Sequence, residues 1–201
     1  LVSVADYVLS RAKADGVKNL VTVSNLSSSR ALRDVTESYG GTYFASAVGE
    51  VNATTLMHEK GAIIGGEGNG GVIYPAIHSG RDAMVGVALF LSNLAHKKMT
   101  VSELKKTYPE YHIAKNKIEL SDKGLIDKIL SELKVIYAHE NVNDIDGVKI
   151  SFEDKREWVH LRKSNTEPII RIYSEAPTEE EAVKLSEKVI AVAEKIISSA
   201  K

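Results

Sequence analysis

Hydrophobic positions along the first hundred residues alternate between helical spacing and short continuous apolar runs. Helical spacing, with capping or terminating residues at its ends, predicts helices over residues 2–14, 27–39, 52–60 and 81–95, and a short one from residue 100. Apolar runs bounded by glycine, proline or polar residues predict strands over residues 20–23, 42–47, 62–64 and 72–74. Because the two kinds of element alternate, this part of the chain should form a mixed three-layer α/β domain.

The pattern changes near residues 106–112. Beyond this point it predicts strands over residues 111–120, 148–152, 158–162 and 169–173, and helices over residues 125–137 and 178–198. Strands that are grouped between two helices are typical of a smaller α+β domain. We therefore predict an α/β protein with two domains, residues 1–108 and residues 109–201.

Composition and charge exclude several classes of function. The net charge is −1 and the pI is about 6.7, so no basic field would attract a nucleic acid, and we expect no such partner. No apolar run approaches the ~20 residues that span a bilayer, so we expect no membrane insertion. The absence of cysteine excludes disulfides, thiolate zinc sites and a cysteine nucleophile. It also suits a reducing cytoplasm, which is the location we predict.

The ten residues from Arg162 to Arg171 are the first candidate site. Two arginines flank a polar turn, Lys163-Ser164-Asn165-Thr166-Glu167-Pro168, which the apolar residues on either side place between two buried strands. A guanidinium presents a fork of donors that matches a phosphate or a carboxylate. Successive backbone N–H groups in a turn can add an anion-binding nest. Residue types alone leave two interpretations open, a phosphate site and an ordinary polar hairpin with surface arginines.

The segment Gly65–Gly71 is the second candidate site, with five glycines in seven residues. Its glycines match a dinucleotide-binding pattern, but a strand with a proline follows instead of the helix that such a site needs. The carboxylate of Glu67 would also lie where a diphosphate should bind. A carboxylate in a glycine loop can instead accept hydrogen bonds from neighbouring hydroxyls, and Asn69 adds an amide, so the composition suits a sugar. Taken alone, the composition of the loop favours a mobile surface turn over a sugar site.

Together the two loops resemble those of the α-D-phosphohexomutases, the family of phosphoglucomutase, phosphomannomutase and phosphoglucosamine mutase. Gly66-Glu67-Gly68-Asn69-Gly70-Gly71 is similar to the sugar-recognition loop of that family, and Arg162–Pro168 to its C-terminal phosphate-binding loop. The resemblance covers essentially the whole chain, but only the third and fourth domains of the family. The phosphoserine of the first domain and the acidic metal loop of the second have no counterpart here. The start at Leu1, without methionine or a signal-peptide pattern, also suggests a piece of a longer protein.

The resemblance implies a reaction in which a phosphoryl group moves between the 1- and 6-positions of a hexose, with Mg²⁺ as the cofactor of the full-length enzyme. No catalytic residue and no metal ligand would lie in this chain, so we expect the isolated chain to be inactive and to bind no metal. The implied sugar-binding residues are Glu67 and Asn69. The residues implied to hold the substrate's non-reacting phosphate are Arg162, Ser164, Asn165, Thr166 and Arg171.

Some residues depart from the family pattern. Many members end the sugar loop in histidine where this chain has Gly71, and some carry a lysine where it has Ala47. The form of the loop favours the phosphoglucosamine and phosphomannomutase branch. Arg81, shortly after the loop, could reach toward a ligand, but a role at the start of a helix is favoured for its segment.

Other interpretations stay open at this stage. The chain could be a non-catalytic phosphosugar-binding module, or an interaction domain whose loops are incidental. As part of an enzyme, its expected partners are the phosphosugar substrate and the remaining domains of the same protein. An apolar face left uncovered near the first helix could also favour a homo-oligomer.

Overall fold

The computed structural model describes residues 1–120, 124–164 and 167–199. These residues form two compact units, Leu1–Glu110 and Tyr111–Lys201. In the first unit the elements follow in the order α1 (Val2–Ala14), β1 (Val21–Asn25), α2 (Ala31–Ser38), β2 (Thr42–Ser46), α3 (Glu50–Lys60), β3 (Ile64–Gly66), β4 (Val72–Tyr74), β5 (His78–Arg81), α4 (Ala83–Lys97) and α5 (Val101–Lys105).

The first unit is a three-layer α/β sandwich. Its sheet has the strand order β2-β1-β3-β4-β5, with β1 parallel to both β2 and β3, and with β4 and β5 added in antiparallel pairs. Helices α1, α2 and α4 pack on one face, where the core includes Leu9, Leu32 and Ile64. Helix α3 covers the other face through Ala53 and Met57. This arrangement confirms the fold class that we predicted for this part of the chain.

A buried carboxylate helps to hold the helical layer together. Asp6 on α1 accepts hydrogen bonds from the hydroxyls of Tyr39 at 2.6 Å and Tyr108 at 2.7 Å, and from Nζ of Lys97 at 2.5 Å. Burial by itself would raise the pKa of Asp6, but these hydrogen bonds and the nearby Lys97 charge outweigh it and lower the pKa. The ionised carboxylate therefore links α1 to the end of α2, to α4 and to the segment after α5.

The second unit has an antiparallel sheet with helices on one face. Its elements are β6 (His112–Glu119), α6 (Gly124–Ile136), β7 (Asn141–Asn143), β8 (Val148–Phe152), β9 (Glu157–Lys163), β10 (Ile169–Ala176) and α7 (Glu179–Ser199). The strand order is β6-β10-β9-β8-β7. Inward side chains such as Leu161 and Ile172 form a core with α6 and α7. The α+β class that we predicted for this part of the chain is confirmed.

Two strands were not expected from the sequence. Strand β5 occupies His78–Arg81, which we had assigned to the approach and start of a helix, and β7 occupies Asn141–Asn143. Both are short and mostly polar or exposed, so they lack the apolar alternation by which strands are recognised. Each is an edge strand, and the neighbouring strand of its sheet supplies the hydrogen bonds that define it.

Candidate functional site

In the first unit, the candidate site lies at the point of the sheet where the connections between strands change from one face to the other. The connection from β1 to β2 runs through α2 on one face, and the connection from β2 to β3 runs through α3 on the other. Because β1 and β3 are parallel neighbours, their carboxyl ends lie side by side at this switch point. Open α/β sheets bind ligands outside the carboxyl ends of strands at such a point. Asn25 ends β1, and Glu67 directly follows β3.

The carboxylate of Glu67 is held from two sides. Nδ2 of Asn25 donates to its Oε1 at 2.9 Å, and Nη1 of Arg81 donates to its Oε2 at 3.4 Å. Glu67 is buried, with 5% of its surface exposed. A carboxylate oxygen can accept more than one hydrogen bond, so both oxygens keep capacity for a hydroxyl donor. The geometry therefore suits the role that the sequence predicted for Glu67, which remains a prediction.

The glycine loop is closed by its own backbone. The N–H of Glu67 donates to the carbonyl of Gly71 at 2.8 Å, and the N–H of Gly70 returns to the carbonyl of Glu67 at 3.2 Å. Gly66 has a φ of +139°, and a Cβ at this position would lie 1.8 Å from the Gly71 oxygen. No other residue type could close the loop in this way. The backbone thereby determines where the Glu67 side chain leaves the loop.

Ser28 supports the same loop from the segment after β1. Its hydroxyl accepts a hydrogen bond from the N–H of Gly68 at 2.8 Å and donates to Oδ1 of Asn25 at 2.9 Å. We had expected the serines at 27–29 to cap the following helix. Ser29 does so in part, since its Oγ accepts from the N–H of Ala31 at 3.2 Å at the start of α2, although the N-cap residue is Arg30. Ser28 instead binds the loop. Ser28 and Asn25 are site residues that the sequence did not reveal.

Asn69 lies at the exposed tip of the loop. Its Oδ1 accepts a hydrogen bond from the N–H of Gly71 at 3.2 Å. This contact satisfies the side-chain oxygen locally and leaves the amide nitrogen as the group that could reach a ligand. The predicted sugar contact of Asn69 is compatible with this position and remains a prediction.

Arg81 and Glu50 also lie at the site. The sequence allowed a ligand contact for Arg81 but favoured a helix-start role, and it gave no indication of Glu50. Arg81 is the last residue of β5, and the helix-start role belongs to Asp82, whose Oδ1 accepts from the N–H of Val85 at 3.0 Å. Glu50, the first residue of α3, accepts from both the backbone N–H and Nε of Arg81, each at 2.8 Å. Hydrogen bonds from the Arg81 backbone and then its side chain lower the pKa of Glu50. The position of Arg81 soon after the loop was the available signal.

In the second unit, the two predicted arginines lie directly opposite each other. The polar turn connects β9 to β10, and the antiparallel register pairs Arg162 with Arg171. The same register pairs Arg171 with Lys117 on β6, so three cations form one row across adjacent strands. Alternation along the strands places this row on the face opposite Leu161 and Ile172, which belong to the core. Like charges in directly opposed positions destabilise a sheet unless an anion compensates them.

The remaining predicted phosphate ligands belong to the turn itself. Ser164 is buried, and its backbone N–H donates to the carbonyl of Ile169 at 3.0 Å. Arg171 is paired with Glu167, its Nη2 lying 3.2 Å from a carboxylate oxygen of that residue. Asn165 and Thr166 lie outside the described residues. The phosphate-binding roles of all these residues stay predictions.

The turn before β8 supports the backbone of Arg162. Gly147 has a φ of +75°, and a Cβ there would lie 2.2 Å from the Leu161 oxygen and 2.8 Å from Cα of Arg162. Nε2 of the buried His160 donates to the carbonyl of Asp146 at 2.6 Å. Burial lowers the pKa of His160 to about 4, so the ring is neutral at pH 7. The turn and β9 are thus held together next to the arginine.

The described residues do not fit a magnesium site. Among them, no group of three or more histidine, cysteine, aspartate or glutamate side chains is placed to hold a metal ion. Mg²⁺ favours carboxylate oxygens in octahedral geometry, and the two site carboxylates, Glu50 and Glu67, are instead engaged by Arg81. In the same part of the chain, no helix is both long and apolar enough to cross a bilayer.

Two family models match the chain. Residues 1–111 match the model described as phosphoglucomutase/phosphomannomutase, alpha/beta/alpha domain III. Residues 116–192 match the phosphoglucomutase/phosphomannomutase C-terminal domain. The two matches follow each other in the order of the two structural units.

Several curated proteins are similar in sequence. A phosphoglucomutase/phosphomannomutase of Thermococcus kodakarensis is 36% identical over 181 residues, covering 89% of this chain and 38% of the relative. A phosphoglucosamine/phosphogalactosamine mutase of Sulfurisphaera tokodaii is 33% identical over 181 residues, which cover 89% of this chain and 39% of the relative. A probable phosphoglucosamine mutase of Methanopyrus kandleri is 30% identical over 174 residues, covering 86% and 38%. The chain therefore spans about two fifths of the length of these relatives.

Solved structures share the fold at lower identity. A phosphoglucomutase/phosphomannomutase family protein from Burkholderia thailandensis matches with a TM-score of 0.73 and 19% identity, over 94% of this chain and 42% of that one. An Aspergillus fumigatus N-acetylphosphoglucosamine mutase, solved with GlcNAc-6P and magnesium, matches with a TM-score of 0.72 and 15% identity, over 97% and 43%.

Proposed function

The chain belongs to the phosphoglucomutase/phosphomannomutase family and contains the third and the C-terminal domain of that family. From this premise we propose that it is the sugar- and phosphate-recognition portion of a phosphohexomutase. The proposed reaction interconverts a hexose 1-phosphate and a hexose 6-phosphate. The first unit would recognise the sugar through Glu67 and Asn69. The second would hold the non-reacting phosphate through Arg162, Ser164, Asn165, Thr166 and Arg171.

The row of cations on the second unit carries the proposal. Arg162 faces Arg171 directly across the strand pair, and Arg171 faces Lys117. Within the described residues, Nε of Arg162 is buried and has no hydrogen-bond partner. A buried donor without a partner costs free energy, and so does any repulsion between the cations that Glu167 beside Arg171 and Glu119 beside Lys117 leave uncompensated. A bound phosphate would reduce both costs.

The first unit supports the sugar part of the proposal. Glu67 projects from a closed loop at the switch point of the sheet, where ligands bind in α/β folds. Two carboxylates, Glu50 and Glu67, flank the single guanidinium of Arg81. This excess of negative charge favours a substrate that carries an ammonium group, so among the candidate hexoses we propose phosphoglucosamine before phosphomannose.

In such an enzyme this chain would position the substrate. Arginines on a phosphate neutralise its charge, and a carboxylate on the hydroxyls fixes the orientation of the ring, but none of these groups makes or breaks a bond. Phosphoryl transfer depends mainly on positioning and electrostatic stabilisation, so recognition of this kind contributes directly to rate. The nucleophile and the Mg²⁺ site would be supplied by other domains of the longer protein, in the cytoplasm.

Calorimetry with glucosamine 6-phosphate tests the proposed binding. We expect the 201-residue chain to bind it and Arg162→Ala to weaken binding by about 1.5–3 kcal/mol, the range for hydrogen bonds to charged groups, or roughly 10- to 150-fold. Lys184→Ala is the control, because Lys184 is an exposed cation on α7 that pairs with Glu180. An Arg162→Ala chain with unchanged affinity would remove the phosphate-site assignment.

A further inference from the structure

We propose that Arg81 is a substrate-recognition residue of the first unit, held beside Glu67 by Glu50 and by the lack of a side chain at Gly71. In this role it orients the Glu67 carboxylate and donates hydrogen bonds to the bound sugar. The inference rests on the proposed function, since it names an additional residue of the same sugar site.

The first observation is that Arg81 is anchored at its base. Both oxygens of Glu50 are engaged by it, one by the backbone N–H and the other by Nε, at 2.8 Å each. Glu50 is the first residue of α3, where the helix dipole favours a negative charge. The direction of the side chain is therefore determined by two elements, α3 and β5.

The second observation is that the far end of Arg81 reaches the sugar loop. Its Nη1 lies 3.4 Å from Oε2 of Glu67, a long contact compared with the 2.8 Å bonds to Glu50. The side chain of Arg81 is 48% exposed, whereas that of Glu67 is 7% exposed. A guanidinium carries five N–H donors, so this one can retain the carboxylate and still donate to a ligand.

The third observation couples Arg81 to Gly71. A Cβ at position 71 would lie 2.6 Å from Cδ and 3.2 Å from Cγ of Arg81. Gly71 is not among the glycines with positive φ, so its backbone would accept another residue type. Glycine at position 71 therefore makes room for the aliphatic part of the Arg81 side chain. It is not needed for the backbone conformation. Any larger residue at position 71 would displace the stem from its path toward Glu67.

An ordinary surface ion pair does not account for this arrangement. Exposed pairs contribute little to stability, typically about 0–1 kcal/mol. Here one guanidinium is placed between a half-buried carboxylate, Glu50, which fixes its base, and a buried one, Glu67, in the ligand loop. Placement of that kind orients a buried acceptor and leaves donors facing solvent next to it, which is what recognition of a polyhydroxylated ring requires.

Two ligands separate a role in sugar recognition from a general effect. Calorimetry would compare glucosamine 6-phosphate with inorganic phosphate, which lacks the ring. For Arg81→Ala we expect affinity for the phosphosugar to fall about tenfold or more, the effect of losing a charged hydrogen bond, with affinity for inorganic phosphate unchanged. Arg81→Lys should recover only part of the loss, because a lysine cannot reproduce the planar fork. Arg11→Ala is the matched control: Arg11 is also 48% exposed and ion-paired, with Asp15 on α1.

A double-mutant cycle tests the coupling to Gly71. Gly71→Ala alone should weaken phosphosugar binding, because the added Cβ displaces the Arg81 stem. In the Arg81→Ala background the same change should have little further effect, since additivity fails for residues that act through one contact. Thermal unfolding of each variant checks that the fold is retained.

Each outcome has a distinct meaning. If the wild-type chain binds the phosphosugar and Arg81→Ala binds it equally well, the inference is overturned and the proposed function stands. If Arg81→Ala lowers the affinity for inorganic phosphate as much as the affinity for the phosphosugar, the role in sugar recognition is likewise overturned. If wild type binds the phosphosugar no better than inorganic phosphate, the proposed sugar site fails and the inference fails with it.

Discussion

His160 shows at the scale of a single residue how burial determines protonation. It lies two positions before Arg162 on β9, with 1% of its surface exposed, and its Nε2 donates to the Asp146 carbonyl. Burial disfavours the imidazolium, and although the Asp146 hydrogen bond acts in the opposite direction, the pKa falls to about 4. A neutral ring there adds no further charge beside the row of cations that includes Arg162.

This pKa predicts a loss of stability in mild acid. In the unfolded chain His160 is protonated below pH 6.5, whereas in the folded chain it stays neutral down to about pH 4. The folded state therefore loses stability relative to the unfolded state as the pH falls from 6.5 toward 4. Between pH 7.5 and 4.5 this single group should reduce the free energy of unfolding by about 2–3 kcal/mol. The measurement is urea unfolding followed by the fluorescence of Trp158, the only tryptophan in the chain.

His160→Gln is the comparison variant. Its amide can still donate to the Asp146 carbonyl but does not titrate, so its stability should decline less over the same pH range. Equal declines for wild type and His160→Gln would show that His160 is not the responsible group.

Helix caps are the element-scale features that the sequence predicted well. The hydroxyl of Thr178 accepts from the N–H of Glu181 at 3.2 Å and donates to the Glu181 carboxylate at 2.8 Å, at the start of α7. Thr100 and Glu103 form the expected capping box at the start of α5. Caps of this kind are local, because all partners lie within three residues of each other, and local patterns can be recognised without tertiary structure.

Removal of the Thr178 cap should destabilise the second unit. Helix α7 contributes Leu185 and Val189 to the core, so fraying of its first turn reduces the free energy of unfolding. For Thr178→Ala we expect a loss of about 1 kcal/mol in urea unfolding followed by Trp158 fluorescence. Thr178→Ser keeps the hydroxyl and should retain most of the stability. A Thr178→Ala chain as stable as wild type would mean that the cap contributes nothing here.

At the scale of the whole molecule, the proposed function assigns substrate recognition to this chain and bond-making to other domains. It spans 38–39% of the length of the three relatives described above. We therefore expect the isolated chain to convert glucosamine 1-phosphate no faster than a heat-killed control, measured by the appearance of the 6-phosphate. Turnover above that control would contradict the proposed division of roles.

The turnover assay does not distinguish this proposal from one alternative, a phosphosugar-binding module that catalyses no reaction. Such a module and a recognition portion of an enzyme would both bind without turnover. A serine nucleophile and an acidic metal loop encoded upstream in the same reading frame support the enzyme. Their absence from that reading frame would support the module.

Helix α4 illustrates what periodicity leaves undecided. Its sequence is strongly apolar, yet Met84, Val87 and Leu91 are exposed by 79%, 56% and 57%, while Leu89 and Phe90 pack toward the core. Spacing of apolar residues predicts that a helix forms, but a helix that is apolar on several sides has no unique buried face. The packing of the sheet and the neighbouring helices selects that face.

The sequence by itself determined most of the elements, the fold class and the positions of the two candidate loops, since these depend on periodicity, caps and turn residues within short segments. Only the tertiary structure decided which residues surround Glu67. These residues come from separate elements: Asn25, which precedes Glu67 by 42 positions, Glu50 and Arg81. Nothing local in the chain pairs these residues. They meet because parallel β1 and β3 end at one edge of the sheet, where α3 begins and β5 ends.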